Sequence, residues 1–133
     1  MTQEEKDLLL KDLCARLPYG VICNCVDPKF SGSVDWTLYS INLQDGTIET
    51  TNDVWNDEFA IENIKPYLRP MESMTEEEKA KLNNMCDVVY SFGMKIYSKT
   101  PEFYDELNAN HFDYRGLIPM GLALPASEGM YNN

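Results

Sequence analysis

The sequence predicts an α+β fold, on three observations. Residues 3–17 carry apolar side chains at helical spacing behind a capping signal, residues 34–51 read as two strands about a tight turn, and residue 75 opens a second capped helix. The expected architecture is an N-terminal helix, a small antiparallel sheet of three or four strands and two further helices packed on one face. With 133 residues, 44% of them hydrophobic and 11% aromatic, the chain suits one domain, 1–133, with its own core.

The first helix is read from Thr2 and Glu5, a capping box, and from the stripe of Leu9, Leu13 and Leu17 flanked by Leu10 and Cys14. Glu4 and Glu5 sit at the positive end of its dipole and Arg16 at the negative end. Pro18 and Gly20 stop it. Residues 21–26 are apolar and β-branched enough for a first strand, which Asp27-Pro28 breaks before a polar loop over 29–33.

The hairpin of residues 34–51 is placed by Asp45-Gly46, read as a two-residue type I′ turn. That turn sets Leu43 opposite Ile48, Asn42 opposite Glu49 and Ile41 opposite Thr50. Tyr39, Ile41 and Leu43 then face the core, while Val34, Trp36 and Leu38 point the other way. In residues 52–62, Val54, Trp55, Phe59 and Ile61 are expected to anchor an irregular segment. Residues 64–70 form a connection punctuated by Pro66 and Pro70.

Thr75 and Glu78 make a second capping box, and Leu82, Met85, Val89, Phe92 and Ile96 continue at spacings of three and four as a buried helical stripe. Gly93 weakens that helix. Thr100-Pro101 restarts a short helix through about residue 109 that buries Phe103 and Leu107. The remainder is cut by Gly116, Pro119, Gly121 and Pro125, with room for one more strand over 121–124.

The formal net charge of −11 opposes binding to a nucleic-acid backbone or an anionic membrane. No run approaches the length of a membrane span and the N-terminus lacks a signal-peptide pattern, so a cytoplasmic protein is expected. Its four cysteines (Cys14, Cys23, Cys25, Cys86) are then free thiols, and Cys23-x-Cys25 alone is too little for zinc. No cofactor or metal is expected. The nucleophile elbow, the phosphate loop, the HExxH helix and the dinucleotide fingerprint are all absent.

Three phrases carry a resemblance: LLLKDLCARLPYG over 8–20, IKPYLRPMESMTEEE over 64–78 and HFDYRGLIPMGLALPASEGMY over 111–131. They resemble a family of short acidic proteins of Bacteroides-type gut bacteria and their phages and mobile elements. The resemblance implies a bacterial or phage setting. It carries no catalytic residue, cofactor or activity to this chain.

No lysine or arginine lies between Lys29 and Lys65, whereas Asp35, Asp45, Glu49, Asp53, Asp57, Glu58 and Glu62 all do. Such a one-signed segment steers basic surfaces toward itself. The expected function is therefore that of a non-enzymatic accessory protein acting through protein–protein contacts, with a basic protein as partner. The alternatives are a small thiol hydrolase pairing a cysteine with His111, the single histidine, or an acidic mimic of DNA. Lys65, Arg69, Lys79 and Lys81 decide the matter if they fold back to neutralise the segment. His111 itself reads as a helix-end residue, its imidazolium favoured by the dipole.

Overall fold

The computed structural model describes residues 1–28 and 32–131. The expected loop at 29–33 lies partly outside the described residues, as do the side chains of Val89 and Ile96 from the expected stripe. Helix α1 (Gln3–Arg16) opens on the complete capping box: Thr2 Oγ1 accepts from the Glu5 N–H, and the Glu5 carboxylate accepts from the Thr2 N–H. A short 3-10 turn follows and ends at Gly20, whose φ of +70° is the left-handed conformation a chain reversal needs there.

Strands β1 (Ile22–Val26), β2 (Ser33–Asn42), β3 (Thr47–Thr51) and β4 (Asn56–Ala60) then run antiparallel in sequence order. Strand β5 (Ile64–Leu68) returns to the other side of β1. The chain continues through α2 (Glu76–Asn83), β6 (Cys86–Ser91), β7 (Met94–Lys99) and α3 (Pro101–Ala109) to β8 (Leu124–Pro125), parallel to β5. The main sheet thus has six strands in the order β4-β3-β2-β1-β5-β8, larger than the three or four expected.

The increase comes from two segments read as irregular. Residues 56–60 form a strand because Phe59 pairs with Ile48 on the core side. Of the four expected anchors, only Phe59 and Ile61 are buried; Val54 and Trp55 are 76% and 68% exposed. Residues 64–68 form a strand despite Pro66, since β8 reaches only Tyr67 and Leu68 and leaves Pro66 without a neighbour on that side.

The register of the β2–β3 hairpin also differs. Asn42 pairs with Thr47 and Ile41 with Ile48, across a four-residue loop. Asn42 organises that loop: its Oδ1 accepts from the Gln44 and Asp45 N–H groups, and its carbonyl from Gly46 N–H at 2.9 Å. Only Gly46 has positive φ, so no type I′ turn forms at 45–46. A bulge between Leu38 and Ser40 then exchanges the two faces. Leu38 enters the core at 4% exposure and Tyr39 leaves it at 57%.

Helix α1 lays Leu9 and Leu13 on a core of Val21, Cys23, Cys25, Leu38, Ile48 and Ile64. Helices α2 and α3 do not join that layer. Leu82 and Leu107 bury themselves with Phe112 in a second, smaller cluster, with Phe103 half-buried against it. Between these helices the expected stripe turns into a two-stranded ribbon, β6–β7, which is the largest departure from the sequence reading. Its turn is Phe92-Gly93, both at positive φ, the type I′ geometry expected at residues 45–46. Val88, Tyr90 and Tyr97 favour pleated structure, and Gly93 accepts the turn without strain.

Candidate functional site

The acidic residues singled out in the sequence separate into four environments. Glu62 holds Lys6 at 2.6 Å, and that hydrogen bond lowers its pKa. Asp45 closes the β2–β3 loop, accepting from Asn42 Nδ2 at 3.0 Å, and Asp53 takes a loop position at φ +74°. Asp57 pairs with buried Thr50 on the side of the sheet that bears the core and lines a recess with Cys25, Val34, Trp36 and Phe59.

Asp35, Glu49 and Glu58 share the opposite face of the sheet, which no helix covers. Glu49 and Glu58 are direct cross-strand partners, like charges set side by side. Glu49 accepts from Ser40 Oγ at 3.2 Å, and Asp35 accepts from Asn24 Nδ2 and the Tyr67 hydroxyl. Along the strand direction Asp35 lies four pairing steps from Glu49, or about 13 Å. The exposed Tyr39 occupies the bulge between them.

Of the four candidate cations, Lys65 lies on this face, in the same cross-strand row as Asn24 and Asp35, whereas the other three are engaged elsewhere. Arg69 binds Glu78 through both terminal nitrogens, at 2.7 and 2.8 Å, and this pair lowers Glu78 to about 2. Lys79 pairs with Glu76 and Lys81 with Glu106. Among the described residues, Asp35, Glu49 and Glu58 have no ion pair.

A second feature escaped the sequence reading. The β6–β7 ribbon projects Tyr90 at 74% exposure, Met94 at 62% and Phe92 at 100%. Among the described residues its strands pair only with each other, and Thr100 Oγ1 donates to the Met85 carbonyl at its base. The signal was present in the alternation of residues 86–91 and 94–99 about Phe92-Gly93. It was masked because positions 82, 85, 89, 92 and 96 also fit a helix.

His111 lies where α3 ends. The Phe112 N–H donates to the Leu107 carbonyl and the His111 N–H to the Asn108 carbonyl, a Schellman motif with His111 at the position usually taken by glycine. Its φ is +62° and its ring stacks on Tyr131 at 3.7 Å. Burial, then the charges of Arg16 and Arg69, depress its pKa to about 4. The imidazolium expected at the helix end is thus replaced by a neutral ring. His111 borders a groove of about 720 Å³ together with Arg69, Glu78, Ser127 and Tyr131, and no cysteine borders it. Cys23 and Cys25 share the core face, and burial raises both thiols away from the thiolate a nucleophile needs.

Beside His111 lies a buried ionic junction. Arg16 donates to both Asp12 oxygens and, at 2.6 Å, to the Phe112 carbonyl; Arg115 donates to Asp12 at 2.9 Å. The Asp113 carboxylate accepts from the Leu117 and Ile118 N–H groups. Among the described residues no three His, Cys, Asp or Glu side chains form a metal-binding group, and no helix is long and apolar enough to cross a membrane. No protein-family model, curated protein or solved structure matches the chain.

Proposed function

We propose that this protein is a non-enzymatic cytoplasmic binding module whose uncovered acidic face docks a basic protein surface. One observation carries the reading: among the described residues Asp35, Glu49 and Glu58 share a face without an ion pair, with Lys65 two strands from Asp35, while Arg69, Lys79 and Lys81 are committed to other carboxylates. Unneutralised charges on one face produce a directed field, and such a field raises association rates with surfaces of opposite sign. The resemblance of three phrases to short acidic proteins of gut bacteria and their phages supports a bacterial or phage host.

The test is a triple charge reversal, Asp35→Lys, Glu49→Lys and Glu58→Lys, with partner capture read from host lysate and stability from urea unfolding. The expected result is lost capture at a urea midpoint near that of the parent. Capture that survives the reversal rejects the docking face.

A further inference from the structure

We propose that the basic partner docks by adding an extended strand to β4, the free edge of the main sheet, with lysine or arginine at every second position. The proposal rests on the docking role of the acidic face and names the form its partner takes. Strand β4 ends the sheet order β4-β3-β2-β1-β5-β8 and pairs through all five of its residues with β3. Among the described residues no strand lies along its outer side. The opposite end of the sheet offers less, because β8 is two residues long. The Glu58 N–H shows what the open edge lacks. It donates to the carboxylate of its own neighbour Asp57, at 2.8 Å, and so is turned away from β3. In an antiparallel ladder such groups alternate, and Asn56, Glu58 and Ala60 present their N–H and carbonyl groups outward. A row of outward main-chain groups is a template for one more strand.

The side chains flanking the edge select the strand. Glu58 lies on the open face beside Glu49, whereas Asp57 and Phe59 lie on the core side. A hollow of about 380 Å³ borders the edge between Glu49, Asn56, Asp57 and Glu58. On the core side opens the recess of about 340 Å³ walled by Cys25, Val34, Trp36 and Phe59, with Asp57 at its mouth. A strand laid on β4 sends its side chains to these two places by turns. Those on the open face meet Glu58 and Glu49, which have no ion pair among the described residues, and lysine or arginine complements them. Lys65, the cation on that face, stands on β5, four strands or about 19 Å away. Those on the core side reach the recess, where the Trp36 and Phe59 rings suit a large apolar side chain. The Asp57 carboxylate holds the Glu58 N–H until a carbonyl of the incoming strand takes it. Acidic edges repel one another, so the same charges that attract a basic strand keep a second copy of β4 away. Main-chain bonds then supply affinity, and alternate side chains supply specificity.

The probe is a labelled nonapeptide of alternating lysine and valine, titrated into the full chain at about 0.15 M salt and read by anisotropy. Its control has the same composition with the lysines and valines in separate blocks. Ala60→Pro supplies the second comparison. Ala60 is exposed and has φ −67°, the value proline imposes, so the substitution removes one outward N–H and changes no charge. The alternating peptide is expected to bind the parent at least about tenfold more tightly than the blocked one, and at least about tenfold more tightly than it binds Ala60→Pro. Binding is expected to slow amide exchange at Glu58 and Ala60 of the parent, a readout that needs no variant. Equal binding of the two peptides overturns the proposal, as does no binding of either. So does an Ala60→Pro chain with the parent's far-UV spectrum and the parent's affinity, or unchanged exchange at both amides. Capture from lysate separates this failure from that of the docking face. Capture lost in the triple charge reversal but kept by Ala60→Pro rejects strand addition alone; capture that survives the reversal rejects both.

Discussion

Two groups of carboxylates in this molecule receive opposite treatment. Asp12 lies fully buried and holds two guanidiniums, Arg16 from its own helix and Arg115 from the far end of the chain. Glu49 and Glu58 lie side by side on an uncovered sheet with no cation between them. Asp12 fastens α1 to the C-terminal segment, where Arg16 also binds the Phe112 carbonyl and the Arg16 and Arg115 guanidiniums both lie against the Tyr114 ring. The open-face pair makes no ion pair among the described residues, and the Ser40 hydroxyl donates to Glu49. A charge whose partner is supplied by the fold stabilises the fold; a charge without one contributes to the field outside it.

The largest test of this contrast is Asp12→Ala. It leaves Arg16 buried without its counter-ion and is expected to cost about 3–5 kcal/mol in urea unfolding. A loss below about 1 kcal/mol would show that the junction is held by packing instead.

Acid titration comes next, because the buried side of the comparison also holds His111. Its folded pKa of about 4 lies below the ordinary 6.5, so the unfolded chain takes up the proton first. Stability present above pH 6.5 is therefore lost as pH falls toward 4, by roughly 3 kcal/mol. His111→Asn, which keeps a residue tolerant of positive φ, is expected to flatten that window. Glu78 acts later: its pKa is depressed to about 2 by Arg69, so its contribution is lost as pH falls from 4.5 toward 2. Midpoints measured across these two windows, with and without the substitution, separate the two groups.

The smallest effect belongs to the open face. Glu58→Lys replaces a like-charge pair with an opposite pair and is expected to stabilise by a few tenths of a kcal/mol. A measurable loss of stability would show that Glu58 has a structural task.

Legibility follows the range of the interactions involved. Both capping boxes and the Thr100-Pro101 start stand where the sequence put them, since a cap is settled within four residues. The hairpin register was not legible, because Asn42 outcompeted Asp45-Gly46 for control of the turn and the bulge at Tyr39 then exchanged the faces. The β6–β7 ribbon was misread because its apolar residues satisfy two periods at once. Of the acidic residues, Glu62 was legible as acidic and illegible as paired, for its partner Lys6 is 56 positions away in the chain.

By itself the sequence determined the α+β class, the three helix starts, the presence of a β2–β3 hairpin and the excess of acid between residues 30 and 64. These depend on local dihedral preference, side-chain capping and composition. Only the tertiary structure decided that Asp12 is buried between two arginines, that His111 is neutral and that Asp35, Glu49 and Glu58 share an uncovered face. It also decided that Phe92 points into water. Each of these depends on which distant backbone comes alongside, and strand pairing and burial are settled by contacts between residues far apart in the chain.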